Sequence, residues 1–191
     1  MYELKSSYLF FFAVWFTTIV FRLFELRLAK QNLAKRKSEP NLQIAKEPFF
    51  FLFVILHSSF LIIVPIEILV FNRNFDLWLG LICLFVYTIC LIMRISVLTT
   101  LRQNWNVKVV FDTKSKESIC KNGLYKYIRH PNYLIVILEI ASISLLHQAY
   151  LSFLFFKGIA VALLLNMSIT VSMHLYPELK CDIFFKSIKS A

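Results

Sequence analysis

The run Arg129, His130, Pro131, Asn132, Tyr133 gathers a guanidinium, an imidazole, an amide and a phenol within five residues. Proline has a backbone angle suited to the first turn of a helix, and the residue before it is pushed out of the helical region, so a helix should begin at Pro131. The free N–H groups and positive dipole end of such a helix form a site for an anion such as a carboxylate. His130 can donate to the same anion, and Arg129 adds charge. Tyr133 and Tyr125 supply aromatic faces, which attract a cation by about 0.5–2 kcal/mol. One pocket of this kind holds an anion and a cation together, which is the demand of a zwitterion carrying a sulfonium. The alternative is an ordinary membrane helix anchored in head groups by the same residue types.

The elements that must position this junction follow from the solvent. Apolar residues make up 59% of the 191, with 20 Phe and only 3 Gly, a mix suited to a bilayer rather than to a soluble domain. The formal charge of +10 does not mark a nucleic-acid binder, because Lys and Arg lie between long apolar runs instead of on a basic module. They read as cytoplasmic loops facing anionic lipid. A span needs about 20 mostly apolar residues, and residues 8–26, 49–71 and 77–98 meet this. Residues 133–146 form a short run and 151–173 a long one, separated only by His147 to Tyr150, so a tight helical hairpin is expected. The expected fold is an all-α polytopic membrane protein of about five transmembrane helices, one integral membrane domain over residues 1–191 with a cytoplasmic cofactor pocket. The first run follows Lys5 as a signal peptide would, but it ends in Arg22, Glu25 and Arg27 without a small-residue cleavage pattern, which predicts a retained helix.

Orientation follows from the basic residues. Residues 27–48 carry six Lys and Arg, 99–132 carry seven, and the stretch from His174 carries three. Five spans place all of these on one side and leave Lys5 and Arg73 on the other, whereas an even number would mix them. The N-terminus is therefore expected outside and the C-terminus in the cytoplasm.

The connection from Thr99 to Asn132 is the longest polar stretch, the kind of segment that tends to carry function. Within it Asn104, Trp105 and Asn106 suit an interfacial aromatic anchor, Val107 to Phe111 a short extended piece, and Asp112 to Lys116 a turn. Cys83, Cys90, Cys120 and Cys181 contain no C-x-x-C pair, so neither a disulfide framework nor a metal site is expected. Glu139 lies six residues beyond Tyr133. An ionisable group at that depth is a functional candidate by default, the alternatives being that it is protonated or paired with Arg94. His57 and Glu67 are ten residues apart, about 15 Å along a helix and on different faces, which suits packing rather than a catalytic pair.

The segment from Asn122 to Leu134, N-G-L-Y-K-Y-I-R-H-P-N-Y-L, resembles the signature of the isoprenylcysteine carboxyl methyltransferase family: G-x-Y, four residues, then H-P-x-Y. Two further segments, R-L-F-E-L-R-L-A-K-Q-N at Arg22 to Asn32 and R-Q-N-W-N at Arg102 to Asn106, are similar to those around the first and third spans of small bacterial members. The resemblance implies S-adenosylmethionine as cofactor, held by Tyr125, His130, Pro131, Asn132 and Tyr133. The family also carries R-x-x-x-E-E on its last helix, where this chain reads His174, Leu175, Tyr176, Pro177, Glu178, Leu179. Glu178 matches the first glutamate and joins the implied cofactor set. His174 stands for the arginine and Leu179 for the second glutamate, and Pro177 bends or ends the helix. His174 and Arg129 are the substrate-facing candidates, and no residue is assigned as base. An imidazole, largely neutral at neutral pH, matches a phenol or enol oxygen better than a carboxylate.

The implied activity is S-adenosylmethionine-dependent methylation of a carboxyl or hydroxyl oxygen on a lipophilic, membrane-resident substrate, in a bacterial inner membrane. The expected partners are that lipid-like acceptor and the membrane lipids, with no nucleic acid and no metal. Two alternatives remain at this level. A phospholipid N-methyltransferase shares the cofactor logic but attacks with an amine. A non-catalytic membrane protein retaining the fold accounts for the changes from His174 to Leu179.

Overall fold

The computed structural model describes residues 2–36, 42–44, 50–107, 110–112, 122–128 and 131–175, excluding the side chains at 2–6, 42–44, 50, 53, 110–112 and 163–175. Five helices carry the architecture: α1 (Tyr2–Arg36), α2 (Phe50–Val70), α3 (Leu77–Leu101), α4 (Pro131–Leu145) and α5 (Tyr150–Leu175). Two three-residue strands, β1 (Leu42–Ile44) and β2 (Val110–Asp112), pair antiparallel with Gln43 opposite Phe111. The extended piece expected at Val107 to Phe111 is thus shifted toward Asp112. It ties the α1–α2 connection to the one that follows α3.

By length and composition, Ser7–Arg36 and Leu77–Asn104 can each cross a membrane. Val54–Val70, Pro131–Leu145 and Tyr150–Ala162 are shorter apolar stretches. Helix α1 runs ten residues past the apolar run that ends at Leu26. An apolar run measures the bilayer, whereas good helix formers such as the exposed Arg27, Lys30 and Gln31 carry the helix on into water.

Helix α3 packs along α4, α4 along α5, and α5 along α2. One apolar cluster, including Phe11, Phe60, Ile68, Tyr87, Ile143 and Phe156, joins all five helices. A second, including Ala29, Val97, Leu98, Trp105 and Ile135, joins the later half of α1 to the end of α3 and the start of α4. In lipid, apolar faces gain nothing by leaving the solvent, so close packing and interhelical hydrogen bonds must hold such helices together. Pro65, inside α2, has no N–H to give the carbonyl of Leu61. That carbonyl instead accepts from Trp15 Nε1 on α1 at 2.9 Å. Thr18 on α1 and Tyr87 on α3 meet through their hydroxyls at 2.9 Å, and both reach the Val14 carbonyl.

At the end where α1 and α3 begin, Asp76 caps α3 by accepting from Leu79 N at 2.8 Å. A Cβ on Gly80 would lie 2.6 Å from the Phe75 ring, so glycine there lets Phe75 fold back onto the helix. Phe75 then meets His147, which also stacks on Tyr8 and whose Nε2 donates to the Ser7 carbonyl at 3.0 Å. Glu67, near the end of α2, accepts from Ser152 N at 2.7 Å, Ser152 Oγ at 2.5 Å and Leu151 N at 3.3 Å, the first turn of α5. Arg73 pairs with the same carboxylate at 2.7 Å. Glu67 is thus a structural anion at a helix N-terminus.

Candidate functional site

Helix α4 begins at Pro131, where the sequence places it. Pro131 is buried, and Asn132 and Tyr133 in the same turn are partly buried. The N–H groups of this first turn have no carbonyl one turn earlier within the helix. Among the described residues, Asn132 Oδ1 is buried and has no hydrogen-bond partner, an arrangement that is costly unless a ligand or water supplies a donor.

The other half of the motif sits on α3. Gly123 opens a short 3-10 turn, Gly123–Lys126, with φ +58. A Cβ there would lie 2.6 Å from Thr100 Oγ1. Glycine is therefore required twice over, by the left-handed backbone and by the close approach to α3. The turn closes through Tyr125 N to the Asn122 carbonyl at 3.2 Å and Ile128 N to the Leu124 carbonyl at 2.9 Å. Tyr125 is partly buried against the second apolar cluster, and Tyr133 packs against the first.

The two segments that flank this end of the bundle dock on one another. Asn32 Nδ2, on α1, donates to the carbonyls of Arg102 and Trp105, each at 2.9 Å. Arg102 has φ 45 and caps α3, which turns those carbonyls toward α1. Trp105 is 5% exposed, with Nε1 donating to the Glu25 carbonyl at 3.4 Å. The interfacial-anchor expectation for Trp105 is therefore corrected. Its indole is a buried bracket between α1 and the exit of α3, because a local polar setting of Asn104 and Asn106 says nothing about the α1 groove it enters.

Beneath this end lies a group of four charges, with Glu25, Arg94 and Glu139 buried and Arg22 partly so. Arg94, on α3 and 1% exposed, donates from Nη1 to Glu25 Oε1 on α1 at 2.6 Å and from Nη2 to Glu139 Oε2 on α4. Arg22, on α1, donates to the same Glu139 oxygen at 2.7 Å and reaches Glu25 Oε2 at 3.3 Å. The pairing of Glu139 with Arg94 that the sequence offered as one reading is present in the structure. The part played by Arg22 and Glu25 was not anticipated, although both lie in the α1 segment singled out from the sequence.

Arg129, His130 and Glu178 lie outside the described residues, and of His174 only the helical backbone is described. Helix α5 runs back from the turn after α4, so residue 174 returns toward the end at which α4 starts. The described groups fit the implied cofactor. The positive dipole end of α4 suits its carboxylate, and the orphaned Asn132 oxygen suits an N–H donor such as its ammonium or adenine amine.

Comparison with known proteins bears on the same stretch. The profile of the isoprenylcysteine carboxyl methyltransferase (ICMT) family matches residues 78–172, from the first turn of α3 to near the end of α5. The uncharacterized protein YpbQ of Bacillus subtilis (strain 168) is 32% identical over 152 residues, covering 79% of this chain and 87% of its own length. No solved structure matches the chain significantly. The matched region holds the whole G-x-Y and H-P-x-Y signature together with Arg94 and Glu139. The chain belongs to the isoprenylcysteine carboxyl methyltransferase family, a family of membrane methyltransferases.

Proposed function

We propose that this protein transfers a methyl group from S-adenosylmethionine to a carboxyl or hydroxyl oxygen of a lipophilic acceptor lying in the bilayer. The observation that carries the reading is the start of α4: Pro131 opens the helix, and the buried Asn132 oxygen beside it awaits a donor. Tyr125, His130, Pro131, Asn132, Tyr133 and Glu178 form the cofactor set, with Arg129 and His174 toward the acceptor. The bound cofactor supplies an already activated methyl group on sulfur. What the chain's residues contribute is alignment and exclusion of water, and alignment alone supports very large effective concentrations. The first turn of α4 binds and orients the cofactor's carboxylate, while the aromatic faces of Tyr125 and Tyr133 favour its cationic portion. Residues 1–191 act together as one membrane domain, with the basic end of the bundle in the cytoplasm, the N-terminus outside and a bacterial inner membrane as the setting.

The test is incubation of the purified chain in lipid nanodiscs with methyl-labelled S-adenosylmethionine and a membrane lipid extract. Label in a base-labile ester or a phenolic ether is the expected result. Label in the phosphatidylethanolamine fraction would assign the amine chemistry of a phospholipid N-methyltransferase. Cofactor binding with no labelled lipid would favour a non-catalytic role, which is supported by His174 and Leu179 standing where the family carries an arginine and a glutamate.

A further inference from the structure

The two halves of the signature ride on different helices. The G-x-Y turn rests on α3 through the contact of Gly123 with Thr100, and the H-P-x-Y run opens α4. A pocket assembled from both is correct only when α3 and α4 hold one register. Apolar ridges in lipid set register weakly, because many alignments bury similar faces. A slip of α4 by one residue would turn it by about 100° and move it by about 1.5 Å.

From this geometry we infer that Arg22, Glu25, Arg94 and Glu139 act as a register lock that positions the cofactor-binding start of α4 against α3; the inference rests on the methyltransferase reading. Arg94 lies six residues before Thr100 on α3, and Glu139 lies seven residues after Asn132 on α4. Seven residues are nearly two turns, so Glu139 and Asn132 share a face, about 10 Å apart along the axis. Glu139 Oε2 accepts from both guanidiniums, and Arg94 holds Glu25 with its other arm. Two cations and two anions balance, so the group is neutral as a whole while each member depends on the others. A one-residue slip in either direction withdraws Glu139 from both arginines. The role assigned to the four is that of positioning residues.

The test compares the wild-type chain with the double variant Arg22→Gln, Glu139→Gln, in which Arg94 and Glu25 still neutralise one another and the tie to α4 is cut. Two quantities are read in nanodiscs. The first is the dissociation constant for S-adenosylhomocysteine by calorimetry. The second is the distance between spin labels at the exposed positions Thr99 and Leu134, in a chain with Cys120 and Cys181 replaced by Ser. The double variant is expected to retain helical circular dichroism, to broaden or shift the label distance, and to weaken binding about tenfold or more. Glu139→Asp, which keeps the charge, should recover most of the narrow distance. An unchanged distance in the double variant overturns the inference, as does a dissociation constant within twofold of wild type. If the wild type itself binds no S-adenosylhomocysteine, the methyltransferase reading fails while the distance still decides the register. Should the double variant lose its helical signal, Arg22→Lys, which keeps the charge without the forked geometry, is read by the same criteria.

Discussion

Glu67 and Glu139 are the same residue type, 5% and 3% exposed, each inside an apolar helix. They are satisfied in different ways. Glu67 takes the backbone amides of Leu151 and Ser152, the Ser152 hydroxyl and one nearby arginine, all at the end of the bundle away from the signature. Glu139 takes two guanidiniums from two other helices, directly beneath the signature. The first is a helix cap made by a distant residue. The second is a three-helix joint. An acid within an apolar helix is thus not in itself a sign of chemistry. Its partners decide whether it ends a helix or aligns several.

The contrast breaks most visibly at Arg94. Replacing it by Met leaves Glu25 and Glu139 sharing Arg22 alone, an uncompensated buried charge that should cost about 3–5 kcal/mol. A sharp fall in the thermal midpoint and in the yield of folded protein is the expected readout in detergent. Gly123→Ala should rank next, at about 2 kcal/mol, because a left-handed backbone and the Thr100 hydroxyl both oppose the methyl group. It should also weaken S-adenosylhomocysteine binding, and adding Thr100→Ala should restore only the steric part. Glu67→Gln loses its charge against the α5 amides and Arg73, for about 1–2 kcal/mol. Its affinity for S-adenosylhomocysteine should equal that of wild type, and a tenfold loss there would erase the distinction between the two glutamates. Trp15→Phe is the mildest change. It removes the donor to the Leu61 carbonyl, for about 0.6 kcal/mol on the scale of interhelical hydrogen bonds in membranes, with no change in binding.

Much of this architecture could be read from the chain. Pro131 announced the start of α4 because its ring restricts the backbone on both sides, and the structure begins the helix there. The apolar runs located all five helices, since hydropathy records contact with lipid. They placed the end of α1 ten residues early, at the point where the apolar run stops rather than where the helix does. Signature spacing singled out Gly123 and Tyr125, but not that Gly123 presses on Thr100, a contact between segments 23 residues apart. Arg22, Glu25 and Trp105 show the same limit. Each was noticed as part of a local segment, and their shared role appears only when α1 is laid against α3. Periodicity reports which face of a helix is covered, not which residue covers it.

The most direct test of the central claim is calorimetric titration of S-adenosylhomocysteine into the full chain in nanodiscs, alongside the variant Asn132→Leu. Saturable binding near one ligand per chain is the predicted result, weakened at least about tenfold when the buried Asn132 oxygen is removed. Absence of binding by the wild-type chain, or equal affinity in the two proteins, would contradict a cofactor site at the start of α4.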